Sequence, residues 1–211
     1  RGQTPAGGGA VTFGLREGLD VLTAVDFLRS HSIIDSKRIA VVGSGVGGAA
    51  VLHAAALDQS IAAVCADDVW PNLQSFVRRG LRQRYVPTSL MSDLYVMTFE
   101  TLLRERSADG DLAQTMPRIT QPALLLARTG PGSAPAADVL RLSALTSGPH
   151  QAMVIDPAAN AAGSTAAVTD QVAAFLNQAL HWTPPRAKAS RRVQSLLDAQ
   201  AAVLDPRPRR I

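Results

Sequence analysis

Apolar positions recur along the chain in two rhythms. Near the start, Leu19, Leu22, Val25, Phe27 and Leu28 fall close to helical spacing, with Arg16, Glu17, Asp20 and Asp26 opposite them. This predicts an amphipathic helix from Leu15 that ends by about Ser30–Ser32. After a turn over Ile33–Arg38, the run Ile39-Ala40-Val41-Val42 has the β-branched character of a short buried strand. Gly43, Gly45, Gly47 and Gly48 then force a sharp turn, and the alanine-rich Ala49–Leu57 predicts a helix. Asp58-Gln59-Ser60 breaks the chain before a second strand, Ile61–Ala66, which ends at Asp67-Asp68. Residues 69–116 read as short helices and loops. A third strand (Ala123–Ala127), a loop (Arg128–Pro135) and a helix through Val139, Leu140, Leu142 and Leu145 follow. A fourth strand (Ala152–Ile155), a loop (Asp156–Ser164) and a helix with Val168, Val172, Phe175 and Leu176 complete the pattern.

Alternating strands and helices predict an α/β fold: a parallel sheet between helical layers over residues 1–183. Within it, the stretch at about 69–116 reads as a helical cap. Residues 1–14 are turn-rich. Pro184-Pro185 ends the compact part, and 184–211 reads as an extension with one helix, Ala187–Leu204, whose apolar side carries Val193, Leu196, Leu197 and Val203. The uncharged run Ile39–Leu57 approaches the length of a membrane span, but four central glycines and its strand-like first half favour strand, turn and helix over a transmembrane segment.

Charge changes this picture at one end only. The net charge of +4 is concentrated in Arg186–Ile211, where seven Lys/Arg face two Asp. That tail suits an acidic partner or a solvated terminus. The near-neutral body gives no reason to expect nucleic-acid binding. Aromatics make up 4% of the chain, so the core must be built from Ala, Val and Leu. The single Cys65 excludes an intramolecular disulfide and leaves the compartment unspecified. With Arg1 rather than Met at the start, the sequence reads as part of a processed or longer chain.

Strand, glycine turn and helix serve two different chemistries. Gly43, Gly45 and Gly48 fit the G-x-G-x-x-G dinucleotide loop, with Asp67 about where a ribose-binding acid stands. Gly43 and Gly47 equally fit the outer glycines of the G-x-S-x-G nucleophile elbow. The flanks favour the elbow. Helix, Asp35-x-x-Arg38, strand, glycine turn, helix and Ile61–Val64 resemble the α/β-hydrolases, most closely the dienelactone-hydrolase and acetyl-xylan-esterase-like branch. The resemblance continues through Pro122–Ala127, Met153–Ser164 and the last helix, and Arg1–Thr4 is similar to the segment after the family's fourth strand.

The resemblance implies a nucleophile at the middle of the elbow, and there this sequence has Gly45. Ser44 lies one position early. The acid is expected after the third strand, yet 123–137 holds no Asp or Glu, which leaves Asp67 or Asp68 as substitutes. The histidine is expected in Asp156–Ser164, which holds none; Asn160 and Ala161 stand near its place. His31, His53, His150 and His181 read as surface or packing residues. No spacing suggests a metal cluster, and no cofactor is expected. Without a base, a serine hydroxyl is a poor nucleophile at neutral pH.

The resemblance further implies about four strands ahead of those present here, so the Ile39–Val42 strand would lie at an open edge, covered by an N-terminal half or by another chain. Trp70, Phe76, Tyr85, Tyr95, Met97 and Phe99 are expected to gather over the active-site face, as a cap burying its own aromatics or as a pocket lining. The sequence therefore reads as a catalytically degenerate hydrolase-like component. The alternatives are an esterase using Ser44 with an external base, and a dinucleotide-binding protein.

Overall fold

The computed structural model describes residues 11–83, 88–156 and 165–181, all of which belong to one unit, Arg1–His181. The expectations for Arg1–Thr4, Tyr85, Asn160, Ala161 and the Arg186–Ile211 tail lie outside the described residues.

Four parallel strands form the sheet: β1 (Ala40–Ser44), β2 (Ala63–Asp67), β3 (Ala123–Arg128) and β4 (His150–Ile155). Their spatial order is β1-β2-β3-β4, each strand pairing with the next in sequence. The helices are α1 (Leu15–Arg29), α2 (Val46–Leu57), α3 (Leu73–Gln83), α4 (Thr88–Leu103), the single turn α5 (Leu112–Thr115), α6 (Ala136–Ala144) and α7 (Thr165–Ala179).

Strand residues alternate between two cores, as expected for a parallel sheet covered on both faces. Val41, Val64, Ala66, Ala123, Leu125 and Ala127 join Leu52 of α2 and Val139 and Leu142 of α6 on one side. Ala63, Cys65, Leu124, Leu126 and Ile155 meet Phe175 of α7 on the other. The second layer is thinner, and Val42 on β1 is 54% exposed.

Gly14, Glu17 and Thr12 start α1. The Glu17 carboxylate accepts hydrogen bonds from the Gly14 and Thr12 backbone N–H groups and from the Thr12 hydroxyl. The Thr12 hydroxyl oxygen in turn accepts from Arg16 N–H. Burial opposes the Glu17 charge, yet these donors outweigh it and hold the carboxyl below its ordinary range.

Three expectations need correction. The expected apolar side of α1 packs only in part: Val25 is buried and Leu22 half-buried, together with Gly18 and Val21, whereas Leu19, Phe27 and Leu28 are exposed. Small residues set that choice. A β-carbon at Gly18 would stand 3.1 Å from His53 Cβ, and one at Gly14 2.7 Å from Ala49 Cβ, so the helices meet along their smallest side chains. The stretch at 69–116 is not made of short helices alone, because α4 runs for 16 residues. Finally, His150 does not precede the fourth strand but opens it.

Candidate functional site

The glycine turn joins β1 to α2 at the carboxyl end of the sheet, where open α/β sheets bind ligands. Gly43 makes the turn possible: a β-carbon there would overlap the Gly47 carbonyl group. Gly48 lets β2's exit pass, since a β-carbon would meet Val69 Cγ1 at 2.5 Å. Gly45 stands at the apex with φ 56° and ψ −121°, a backbone that strains any L-residue with a side chain. A β-carbon at Gly45 or at Gly47 would meet no atom within 4 Å. The apex thus has open room in front of it and no side chain.

Ser44, the last residue of β1, is exposed, and its hydroxyl donates to Asp67 Oδ2 at 3.4 Å. The register explains the meeting, because Ser44 lies beside Asp67 in the β1–β2 pair. Gly45 N–H donates to the Asp67 carbonyl at 2.9 Å, so the apex is tied to the same residue.

Arg128, the last residue of β3, dominates the Asp67 carboxylate. Its Nε–H lies 2.9 Å from both oxygens and its Nη2 donates to Oδ2 at 2.6 Å. The Asp67 side chain is 13% exposed, so this is a partly buried pair with bidentate character. The Asp67 hydrogen bonds and charge, working against burial, push the Arg128 guanidinium further up. Sequence reasoning passed over Arg128 as the first residue of a loop. The signal available was a lone base ending one apolar strand and a pair of acids ending its neighbour.

Asp68 has a left-handed backbone, φ 52°, and its carboxylate accepts from Ala134 N–H at 3.0 Å. Burial, aided by the negative charge of Asp67, raises its pKa. It latches the end of β2 to the loop before α6. Asp67 and Asp68 are thus both occupied in holding neighbouring loops. Burial, and secondarily Asp67, pushes the Cys65 thiol up to about 12, which leaves it an inert core residue.

The histidines stand apart from this cluster. His31 Nδ1 pairs with the Phe27 carbonyl oxygen at the end of α1, and His150 Nδ1 with that of Gly148. His181 follows α7. His53 is buried on α2, with Nδ1 3.1 Å from Thr115 Oγ1 and with Nε2 lacking a partner among the described residues. Burial lowers its pKa. Its neutral form therefore stabilises the fold above the unfolded value of about 6.5, and that contribution is lost as pH falls below it. Urea midpoints at pH 8 and pH 5.5 are expected to fall in the native chain by more than in His53→Gln; equal falls would refute the assignment.

The aromatics expected to gather do so only in part. Trp70 meets Phe76 edge-on with centroids 5.6 Å apart, and Phe76 meets Phe13 at 5.4 Å. Tyr95 and Phe99 line a separate apolar groove of about 560 Å³ with Val11, Leu81 and Leu102, and Met97 is exposed outside it. Among the described residues no three His, Cys, Asp or Glu could hold a metal ion, and no helix is long and apolar enough to cross a membrane.

Residues 16–83, from α1 through the elbow to α3, match the family model for acetyl xylan esterase (AXE1). Solved structures agree over most of the chain. An esterase from Pyrococcus furiosus superposes with a TM-score of 0.59 at 18% identity, covering 82% of this chain and 65% of its own. This chain has the α/β-hydrolase fold. An acetyl xylan esterase from Paenibacillus shares the hydrolase fold at TM-score 0.58 and 18% identity, covering 76% of this chain and 51% of its own. Acetyl xylan esterase 1 from Thermoanaerobacterium does so at 0.54 and 16%, covering 77% and 52%. The chain spans about half the length of these two enzymes. No protein of curated function matches it by sequence. Within the hydrolase fold, the match fits the acetyl-xylan-esterase-like branch.

Proposed function

We propose that the chain is a catalytically degenerate α/β-hydrolase-like protein serving as a structural or binding component of an assembly. The observation that carries this reading is glycine at the elbow apex: Gly45 holds the backbone bend of the nucleophile and supplies no atom to attack with. The acid is supported as lost too, since Arg128 already engages both oxygens of Asp67. Taking a proton from Ser44 there would compete with that pair. The loop after β4, Asp156–Ser164, where the family's histidine is expected, offers none to serve as base.

The opposing reading, a serine hydrolase acting on a small ester, draws on the Ser44–Asp67 hydrogen bond. It needs a base from outside this chain. A fluorophosphonate probe separates the two. The degenerate reading expects no labelled serine on the purified protein. Stoichiometric labelling that Ser44→Ala abolishes would overturn it. Dinucleotide binding at Gly43–Gly48 is less supported, because the Asp67 carboxylate is taken up by Arg128 and β1 ends the strand order among the described strands.

In the assembly proposed, the contact is a strand paired to the free side of β1. Ile39 O accepts from Ala62 N–H and Gly45 N–H donates to Asp67 O. By the two-residue alternation of a strand, the backbone groups of Ala40, Val42 and Ser44 then point outward. That row, with exposed Val42, is a surface a further strand would cover, from another chain or from an N-terminal half. The intact masses and copy numbers of chains co-purifying with this one test the idea.

A further inference from the structure

A second site lies at the same end of the sheet, between the start of α3 and the start of α6. Ser75, Arg78, Arg79 and Arg82 follow i, i+3, i+4, i+7 spacing and form one stripe of α3. With Trp70, and with Pro135 and Asp138 of the opposite wall, they line a cavity of about 200 Å³. Asn72 fixes the entry of α3 by accepting from Ser75 N–H at 2.9 Å, and Trp70 is held edge-on against Phe76.

Three guanidinium groups line one small concavity from exposed positions, where solvent screens their mutual repulsion only in part. Like charges at i, i+3 and i, i+4 destabilise a helix, and a pocket with a low-dielectric wall concentrates the positive field. The acids at hand neutralise it only in part. Arg78 reaches Asp93 only at 3.8 Å and shares its Nε–H with Ser92. Asp138 is 3.9 Å from Arg141, and neither Arg79 nor Arg82 makes an ion pair with a described residue. Such a constellation matches an oxyanion of two charges. Planar forked donors suit phosphate oxygens, the Ser75 hydroxyl adds a neutral donor, and the Trp70 ring offers an apolar wall.

We propose that this cavity binds the phosphate group of a small phosphomonoester, with Arg79 and Arg82 as its principal ligands. The volume admits the phosphate and the atoms next to it, so the rest of the ligand projects outward. Asp138 in the rim selects against a phosphate seated deep towards α6 and favours one on the α3 side. The site is independent of whether the elbow is catalytic.

Calorimetric titration of the full chain with phenyl phosphate, inorganic phosphate and benzoate tests the proposal. Both phosphates are expected to bind saturably, and benzoate at least tenfold more weakly. Arg79→Gln and Arg82→Gln, at exposed positions, are each expected to weaken phosphate binding at least tenfold, with circular dichroism unchanged. Arg141→Gln, outside the cavity, is expected to leave it unaltered. Absence of phosphate binding, equal binding in the Arg79 and Arg82 variants, or benzoate binding as tight as phenyl phosphate would overturn the assignment. Because ester hydrolysis is not read, a labelled Ser44 would defeat the degenerate reading and leave this result intact.

Discussion

Gly43→Ala is expected to destabilise the chain by about 4 kcal/mol or more, a loss reserved for the severest single substitutions. Its β-carbon would overlap the carbonyl group of Gly47, which is backbone in the first turn of α2 and cannot rotate aside. Relief requires α2 to shift away from β1. Most of α2 is buried, from Gly48 to Ala55, so a shift opens the main core. The comparison that makes this sharp is Gly47→Ala, four residues on. A β-carbon at Gly47 meets nothing within 4 Å, and alanine is favoured over glycine in a helix by up to about 1 kcal/mol. Gly47→Ala should therefore unfold in urea at or slightly above the native midpoint, while Gly43→Ala unfolds far below it or fails to fold. Coincident midpoints would mean that the turn opens cheaply and that close approach is not why glycine stands at 43.

Leu125→Ala is expected to cost about 3 kcal/mol, within the range for deleting a buried leucine side chain. Leu125 has 0% exposure and sits on the inner strand β3, facing the larger core with Val64, Leu52 and Val139. Neighbours on three elements cannot all collapse into the space it leaves. At about 2–4 °C per kcal/mol for a domain of this size, the melting temperature should fall by roughly 6–12 °C. Val42→Ala, on the edge strand at 54% exposure, should stay within about 0.5–1 kcal/mol of the native chain. A Leu125 variant as stable as the Val42 variant would refute the two-core description of the sheet.

The fold was legible in the sequence because its signals are local. Apolar runs of four to six residues marked every strand, and Asp58-Gln59-Ser60 and the glycines marked their limits. What escaped was decided by tertiary contact. Leu19 and Phe27 carry the helical spacing of α1, yet Gly18 and the alanines of α2 set which face packs, since small residues allow the closest approach of two backbones. The strand, glycine turn and helix over residues 40–57 were legible as a motif, because glycines closely spaced after a β-branched run mark such a turn. Arg128 was not, since its meaning depends on the β2–β3 register that brings it to Asp67. The stripe of α3 escaped for the same reason: three arginines in eleven residues look like a solvated face until Trp70 and Pro135 close the other side.

The strand order has a consequence for how the chain acquires its shape. Each strand lies beside the one synthesised just before it, so the sheet can extend outward in the order of translation without waiting for distant segments. Every newcomer adds to the β4 side, and no later strand described here returns to β1. Among the described strands, the flank of β1 away from β2 is thus left unpaired as the sheet grows. A strand that pairs there comes from the same polypeptide or arrives by diffusion. These two routes differ in one readily measured respect: only the second makes the rate of completion depend on protein concentration.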